Sequence, residues 1–167
     1  MKKRESLLWQ KINKALPKAH LTRIESNTLQ GIPDINGVWS AKSFWIELKS
    51  DKSSFPKLSK WQVAWINKHI YRGGTVLICN ETLLERRLKL YRPLSAITDP
   101  RSLVPDFSFS FPVHWQAFRK ACWDLLQRSH ASDALARFDT EAWAQDNGKK
   151  NSLDGLELSS SSETSVV

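Results

Sequence analysis

The sequence predicts an α/β fold in which helices flank a mixed β-sheet. Residues 42–50 alternate apolar and polar side chains, as in a strand with one buried face. Residues 59–71 place their apolar side chains on one helical face, and the apolar run at 75–79 is typical of a buried strand. This order predicts that strand 75–79 pairs parallel to strand 42–50 through the intervening helix.

The remaining elements of the first half follow from periodicity and from breaking residues. Leu8, Ile12 and Leu16 form one stripe of a helix over 3–16, which Pro17 ends. Further elements are predicted as strands at 21–26 and 34–39, a basic turn or short helix at 81–87, and a last strand at 88–91.

The pattern changes beyond Pro93. Residues 94–112 are expected to form a loop, and helices are expected at 113–128 and 132–145. We therefore divide the chain into a core at 1–93, a helical extension at 94–147 that packs on the core or forms a dimer interface, and a disordered polar tail at 148–167.

Composition and charge narrow the class of partner. The chain has 167 residues and a net charge of +8. It has no apolar run long enough for a membrane span, and its two cysteines favour a reduced, cytoplasmic protein. Residues 1–104 hold 19 Lys and Arg against 8 Asp and Glu, whereas residues 105–167 hold 6 against 9. The basic part favours nucleic acid first and an anionic membrane surface second, and the alternative is a solubilising surface.

Three residues carry the predicted chemistry. Glu47 and Lys49 lie on one face of strand 42–50, and a tight turn at 40–43 would bring Asp34 close to Glu47. Two carboxylates about 5 Å apart repel by roughly 3 kcal/mol at an effective dielectric constant of about 20, a cost that a divalent cation removes. The expected site holds Mg²⁺ on Asp34, Glu47 and the carbonyl of Leu48, with Lys49 beside the attacking water.

These residues also carry a family resemblance. Gly31-x-Pro33-Asp34 followed by Glu47-x-Lys49 resembles the active-site signature of the PD-(D/E)XK nuclease superfamily. The closer resemblance is to its virus-type replication-repair nuclease (VRR-NUC) branch. It extends over about residues 3–92 and includes these further features: Glu5, Leu58-Ser59-x-x-Gln62 and Gly73-Gly74.

The resemblance implies a restriction-endonuclease-like sheet flanked by helices and metal-dependent cleavage of DNA, with Mn²⁺ able to replace Mg²⁺. Stand-alone members resemble four-way-junction (Holliday-junction) resolvases, often phage-encoded, that act as homodimers. It places Gln62 in the catalytic site and Glu5 among the metal ligands.

Each assignment has a structural alternative. Asp34 could cap a turn, and Glu47 with Lys49 could form a solvated strand face. Gln62 completes a capping box with Ser59 as readily as it lines the site. Glu5 could instead form a charge pair near the start of its helix.

The basic and aromatic residues have two interpretations as well. Lys57, Lys60 and Lys68 either contact phosphates or form a solvated helix face. Most of the eight tryptophans, Trp61 and Trp65 included, are expected in the core or an interface, and Trp45 alone is expected to line the DNA groove.

Other chemistries lack their motifs. No His or Cys spacing matches a metal site, and no glycine-rich loop indicates a nucleotide cofactor. The sequence therefore predicts a Mg²⁺-dependent, structure-selective endonuclease acting on branched DNA as a homodimer. The alternatives are a nicking, flap or restriction-type nuclease, or a non-catalytic DNA-binding or assembly protein.

Overall fold

A computed structural model describes residues 3–24 and 30–128. Its elements, in chain order, are α1 (Lys3–Ala15), β1 (His20–Arg23), β2 (Ile35–Trp39), β3 (Lys42–Asp51), α2 (Lys60–Tyr71), β4 (Val76–Thr82), β5 (Arg87–Tyr91), a 3₁₀ turn (Pro100–Ser102), β6 (Phe107–Ser110) and α3 (Trp115–Gln127). The predicted helix at 132–145, the predicted tail and the end of the predicted first strand lie outside the described residues.

The strands form one mixed sheet in the order β1-β2-β3-β4-β5-β6. Neighbouring strands are antiparallel except β3 and β4, which are parallel and joined through α2. The predicted α/β class and the predicted parallel pairing are confirmed.

Helices cover both faces of the sheet. On one face, Leu8 and Ile12 of α1 and Phe118 of α3 pack on Ile46 and Leu48 of β3, and all five are buried. On the opposite face, α2 buries Ile66 and Ile70. Because side chains alternate along a strand, Trp45, Glu47 and Lys49 of β3 point to the α2 side.

The structure differs from the sequence prediction at two places. β4 continues through Thr82, where a turn or short helix was expected, because Ser50 donates a hydrogen bond to Glu81 and extends the pairing with β3. β6 lies inside the predicted loop, and its short Phe-Ser-Phe-Ser alternation makes it an edge strand of the sheet. The strand at 88–91 is therefore not the last one.

Residues beyond Pro93 join the same sheet and core as the first half. The buried guanidinium of Arg92 donates to the carbonyls of Leu125 and Arg128 at the end of α3, the latter at 2.9 Å. Arg119 of α3 donates to the carbonyl of Ala15 at 2.7 Å. Within the described residues, no helix has both the length and the apolar character to cross a membrane.

Candidate active site

The β2–β3 hairpin brings Asp34 and Glu47 opposite each other. Ser40 and Ala41 form a two-residue turn with positive φ, and they leave Ile35 paired with Ile46. Both isoleucines are fully buried in the core, so the next pair along the same register, Asp34 and Glu47, lies on the α2 face. Directly opposed residues of this kind have Cβ atoms about 5 Å apart.

Asp34 is held where the β2–β3 ladder ends. β2 begins at Ile35, and Oδ2 of Asp34 accepts a hydrogen bond from the backbone N–H of Leu48 at 2.7 Å. The Leu48 N–H therefore donates to this carboxylate instead of to a backbone carbonyl of β2. Because the N–H and C=O of one strand residue point to the same edge, the Leu48 carbonyl also projects toward the Asp34 side.

Glu47 has one oxygen held and one oxygen free. Its side chain is buried, and Oε1 accepts hydrogen bonds from Lys49 Nζ at 2.5 Å and from Gln62 Nε2. Oε2 is also buried but has no hydrogen-bond partner. A buried carboxylate oxygen without a partner is costly, so the free oxygen indicates a place for a ligand.

Gln62 fills both of the roles that the sequence left open. Its Oε1 accepts from the Ser59 N–H at 3.0 Å, and its own N–H donates to Ser59 Oγ at 3.2 Å, which completes the capping box of α2. Its Nε2 donates to Glu47. One amide group thus fixes the start of α2 and the orientation of the carboxylate together.

Burial dominates the electrostatics of the site. It raises the pKa of Glu47 to about 8, the Lys49 ammonium opposes this rise, and the negative charges of Asp34 and Glu5 add to it. Burial also raises the pKa of Asp34, against the Leu48 N–H and the Lys49 and Arg23 charges. Without a further cation, the site disfavours two ionised carboxylates.

The donor set of the site fits a hard divalent cation. Within residues 3–24 and 30–128, no three His, Cys, Asp or Glu side chains gather closely enough to bind a metal alone. Mg²⁺ needs only one or two carboxylates because it keeps several waters. Asp34 and the free Oε2 of Glu47 meet that requirement, and Glu5 lies near enough for its charge to act on Glu47.

The predicted DNA-binding residues differ in exposure. The three lysines Lys57, Lys60 and Lys68 are exposed. Trp45 is half-buried beneath α2, where its ring lies 5.1 Å from that of Trp65, so its predicted place in a DNA groove stays a prediction.

Trp61 does not lie in the core, and the other half of its expectation, a place in an interface, stays a prediction. Its side chain is 52% exposed, and no contact among the described residues buries it. It occupies the first turn of α2, one turn before Trp65, whose ring packs against those of Trp45 and His69.

Sequence reasoning missed Asn80. It is fully buried, pairs in register with Lys49, and neither polar atom of its side chain makes a hydrogen bond of full geometry. In the sequence, Asn80 is the first polar residue after the apolar run 75–79. α/β proteins build their sites at the carboxyl ends of such strands, so its position was the available signal.

Comparisons with known proteins find a likeness in structure and none in sequence families. No family model matches the chain, and no curated protein matches it. Among solved structures, the 1.6 Å structure of Archaeoglobus fulgidus Hjc, a Holliday junction resolvase from an archaeal hyperthermophile, superposes with a TM-score of 0.47 and 14% identity. The match covers 74% of this chain and 99% of that one, and the likeness is one of chain architecture.

Proposed function

We propose that this protein is a Mg²⁺-dependent DNA endonuclease of the PD-(D/E)XK type, related to the VRR-NUC branch. One observation carries the proposal: two opposed carboxylates from neighbouring strands share a face with a lysine 2.5 Å from one of them, while a buried carboxylate oxygen lacks a partner. Carboxylates bind the metal in such a site, and a lysine acts on the phosphate or on the attacking water.

The residues that would hold Mg²⁺ are Asp34, Glu47 and the carbonyl of Leu48, with Glu5 binding directly or through water. When bound, the metal offsets the charge of the phosphate and makes water easier to deprotonate, and Mn²⁺ is expected to substitute. The hydrogen bonds from Leu48 and Gln62 hold the two carboxylates in fixed orientations before any substrate arrives.

Lys49 supplies the positive charge at the reacting centre. Its ammonium is mostly buried beside Glu47, where it can orient the attacking water and stabilise negative charge on the phosphate oxygens. Water attacks phosphorus in line with the leaving oxygen: the water loses a proton to solvent as its oxygen bonds to phosphorus, the P–O ester bond breaks, and the leaving oxygen takes up a proton from solvent. Lys57, Lys60 and Lys68 would bind neighbouring phosphates.

Branched DNA is the proposed substrate, and the proposed assembly is a homodimer. Cutting two strands of a junction requires two active sites, which a symmetric dimer provides. A nicking, flap or restriction-type enzyme uses the same chemistry and differs in the substrate that it selects. The proposed location is the cytoplasm, which for a phage-encoded member is that of the host.

Cleavage assays with four-way-junction, flap, splayed and linear DNA test the proposal. With Mg²⁺, we expect cleavage that is strongest on the junction and is abolished by EDTA. Glu47→Ala and Lys49→Ala should lose turnover while keeping most of their DNA affinity, whereas Lys120→Ala, an exposed change on α3, should behave as wild type. Undiminished cleavage by either site variant would refute the assignment.

Sedimentation at the working concentration tests the assembly separately. A protein that stays monomeric on junction DNA, while still cutting it, would overturn the homodimer and leave the active site in place. Binding without cleavage of any of the four DNAs would favour the non-catalytic DNA-binding alternative.

A further inference from the structure

Trp61 stands apart from the other aromatic side chains. At 52% exposure it is the only exposed Phe, Trp or Tyr residue among those that the structure describes. Exposing this much of an indole ring sacrifices the hydrophobic stabilisation that burial would give. An isolated exposed apolar residue is ordinary on a protein surface, so its surroundings decide whether it has a role.

The first of those surroundings is an aromatic stripe along α2. The rings of Trp65 and His69 are stacked with centroids 4.7 Å apart, and Trp45 of β3 packs edge-on against Trp65. Trp61 precedes Trp65 by four residues and therefore lies on the same side of the helix, one turn closer to its start. The stripe thus ends in a ring that the protein does not cover.

The second feature near Trp61 is the rim of the candidate active site. The next residue, Gln62, donates to Glu47. On the other side, the backbone of Gly31 lies so close to the Trp61 carbonyl that a Cβ at Gly31 would come within 2.4 Å of it. Gly31 lies in the loop that leads to Asp34, so the backbone of Trp61 lies between this loop and Gln62, the residue that contacts Glu47.

The third feature near Trp61 is the positive charge of neighbouring lysines. The Lys60 ammonium lies 4.9 Å from the centroid of the Trp61 ring, and Lys57 is exposed just before the helix. An aromatic ring beside cations suits a ligand that joins a flat π-surface to a negative charge. A nucleotide whose base is free to stack has both features, whereas duplex bases already stack on one another.

We propose that Trp61 is a stacking platform for an unpaired DNA base at the mouth of the active site, with Lys60 on the adjoining phosphate. The proposal rests on the proposed nuclease function and adds to it a means of selecting branched or open DNA. It predicts that Trp61 contributes to binding only where the DNA offers a base outside the duplex stack.

Binding measurements in EDTA, where metal-dependent cleavage does not proceed, test this directly. Trp61→Ala should weaken binding to splayed or four-way-junction DNA by roughly 5- to 150-fold, the range of one lost base–aromatic stack, and should leave duplex binding within about twofold. Trp61→Phe should keep most of the affinity. The dependence of log Kd on log salt should not change, because no charge is removed.

A fluorescent base analogue identifies the contact. 2-Aminopurine placed at the branch point should be quenched by the wild type and by Leu84→Ala, a control that alters a 73% exposed residue in the β4–β5 turn, and not by Trp61→Ala. Circular dichroism and urea unfolding of each variant exclude a folding defect as the cause.

The outcomes separate the two proposals. Equal weakening of duplex and branched DNA by Trp61→Ala, or an unchanged preference for branched DNA, would overturn the stacking role even if wild-type cleavage depends on Glu47 and Lys49. Selective weakening, together with cleavage that does not require Glu47 and Lys49, would support the stacking role and overturn the active-site assignment.

Discussion

Replacing Glu47 by Gln should stabilise the metal-free protein, and the gain should grow with pH. In the folded protein, burial raises the pKa of Glu47 to about 8, whereas the unfolded chain has the ordinary value of 4.5. Between these values the folded state binds a proton that the unfolded state has lost, so the free energy of unfolding falls as pH rises. Glutamine is neutral at every pH and keeps an acceptor for Lys49 and Gln62.

The size of the effect follows from the two pKa values. Each pH unit of difference corresponds to about 1.36 kcal/mol, so the full interval amounts to at most about 5 kcal/mol. The stability advantage of Glu47→Gln should be small at pH 4.5, rise through neutral pH and level off above pH 8. Asp34, whose pKa is also raised by burial, adds a dependence of the same sign that both proteins share.

Urea unfolding in EDTA at pH 4.5, 7 and 8.5 provides the measurement. Glu85→Gln is the matched control, because this carboxylate is about one-third exposed and pairs with Lys89 on the surface. Its effect should be small at every pH. An advantage of Glu47→Gln that is the same at pH 4.5 and 8.5 would refute the reasoning. Added Mg²⁺ should narrow the gap at pH 8.5, because only the wild type keeps both carboxylates.

Three other substitutions probe the surroundings of the site, each by urea unfolding. Gly31→Ala should lower the free energy of unfolding by about 1–3 kcal/mol, because φ is +89° and the new Cβ would meet the Trp61 carbonyl; a neutral effect would contradict that approach. Asn80→Leu should raise it by about 1 kcal/mol, because the buried amide makes only a poor interaction with the Tyr91 hydroxyl, and a loss would show that this interaction stabilises the fold. Arg92→Met should lower it by about 1–3 kcal/mol, since the carbonyls ending α3 lose their donor, and faster hydrogen exchange in α3 would locate the change.

The central part of the fold could be predicted because its signals are local. The alternation in β3 fixes which side chains face the core, and a two-residue turn then fixes the register that sets Asp34 opposite Glu47. The apolar run that became β4 is long enough to require burial on both faces. These parts depend on neighbouring residues and on general rules of chain connection.

The parts that could not be predicted depend on distant packing. β6 is four residues long, stands between two proline-containing turns and exists because the edge of β5 was available to pair with it. Trp61 and Trp65 share one helix stripe, and only Trp65 gains the rings of Trp45 and His69 as packing partners. Asn80 lies next to the candidate site only because the strand register pairs it with Lys49, which stands thirty-one positions earlier in the chain.

The shared amide of Gln62 restricts which residue can occupy the third position of α2. A capping box accepts glutamate as well as glutamine at this position. Glutamate would satisfy the Ser59 N–H, but it would set a second carboxylate against Oε1 of Glu47, where Gln62 now donates. The helix alone would accept either glutamate or glutamine at this position. The site requires glutamine, because the same side chain must accept a hydrogen bond from its own helix and donate one to the neighbouring strand.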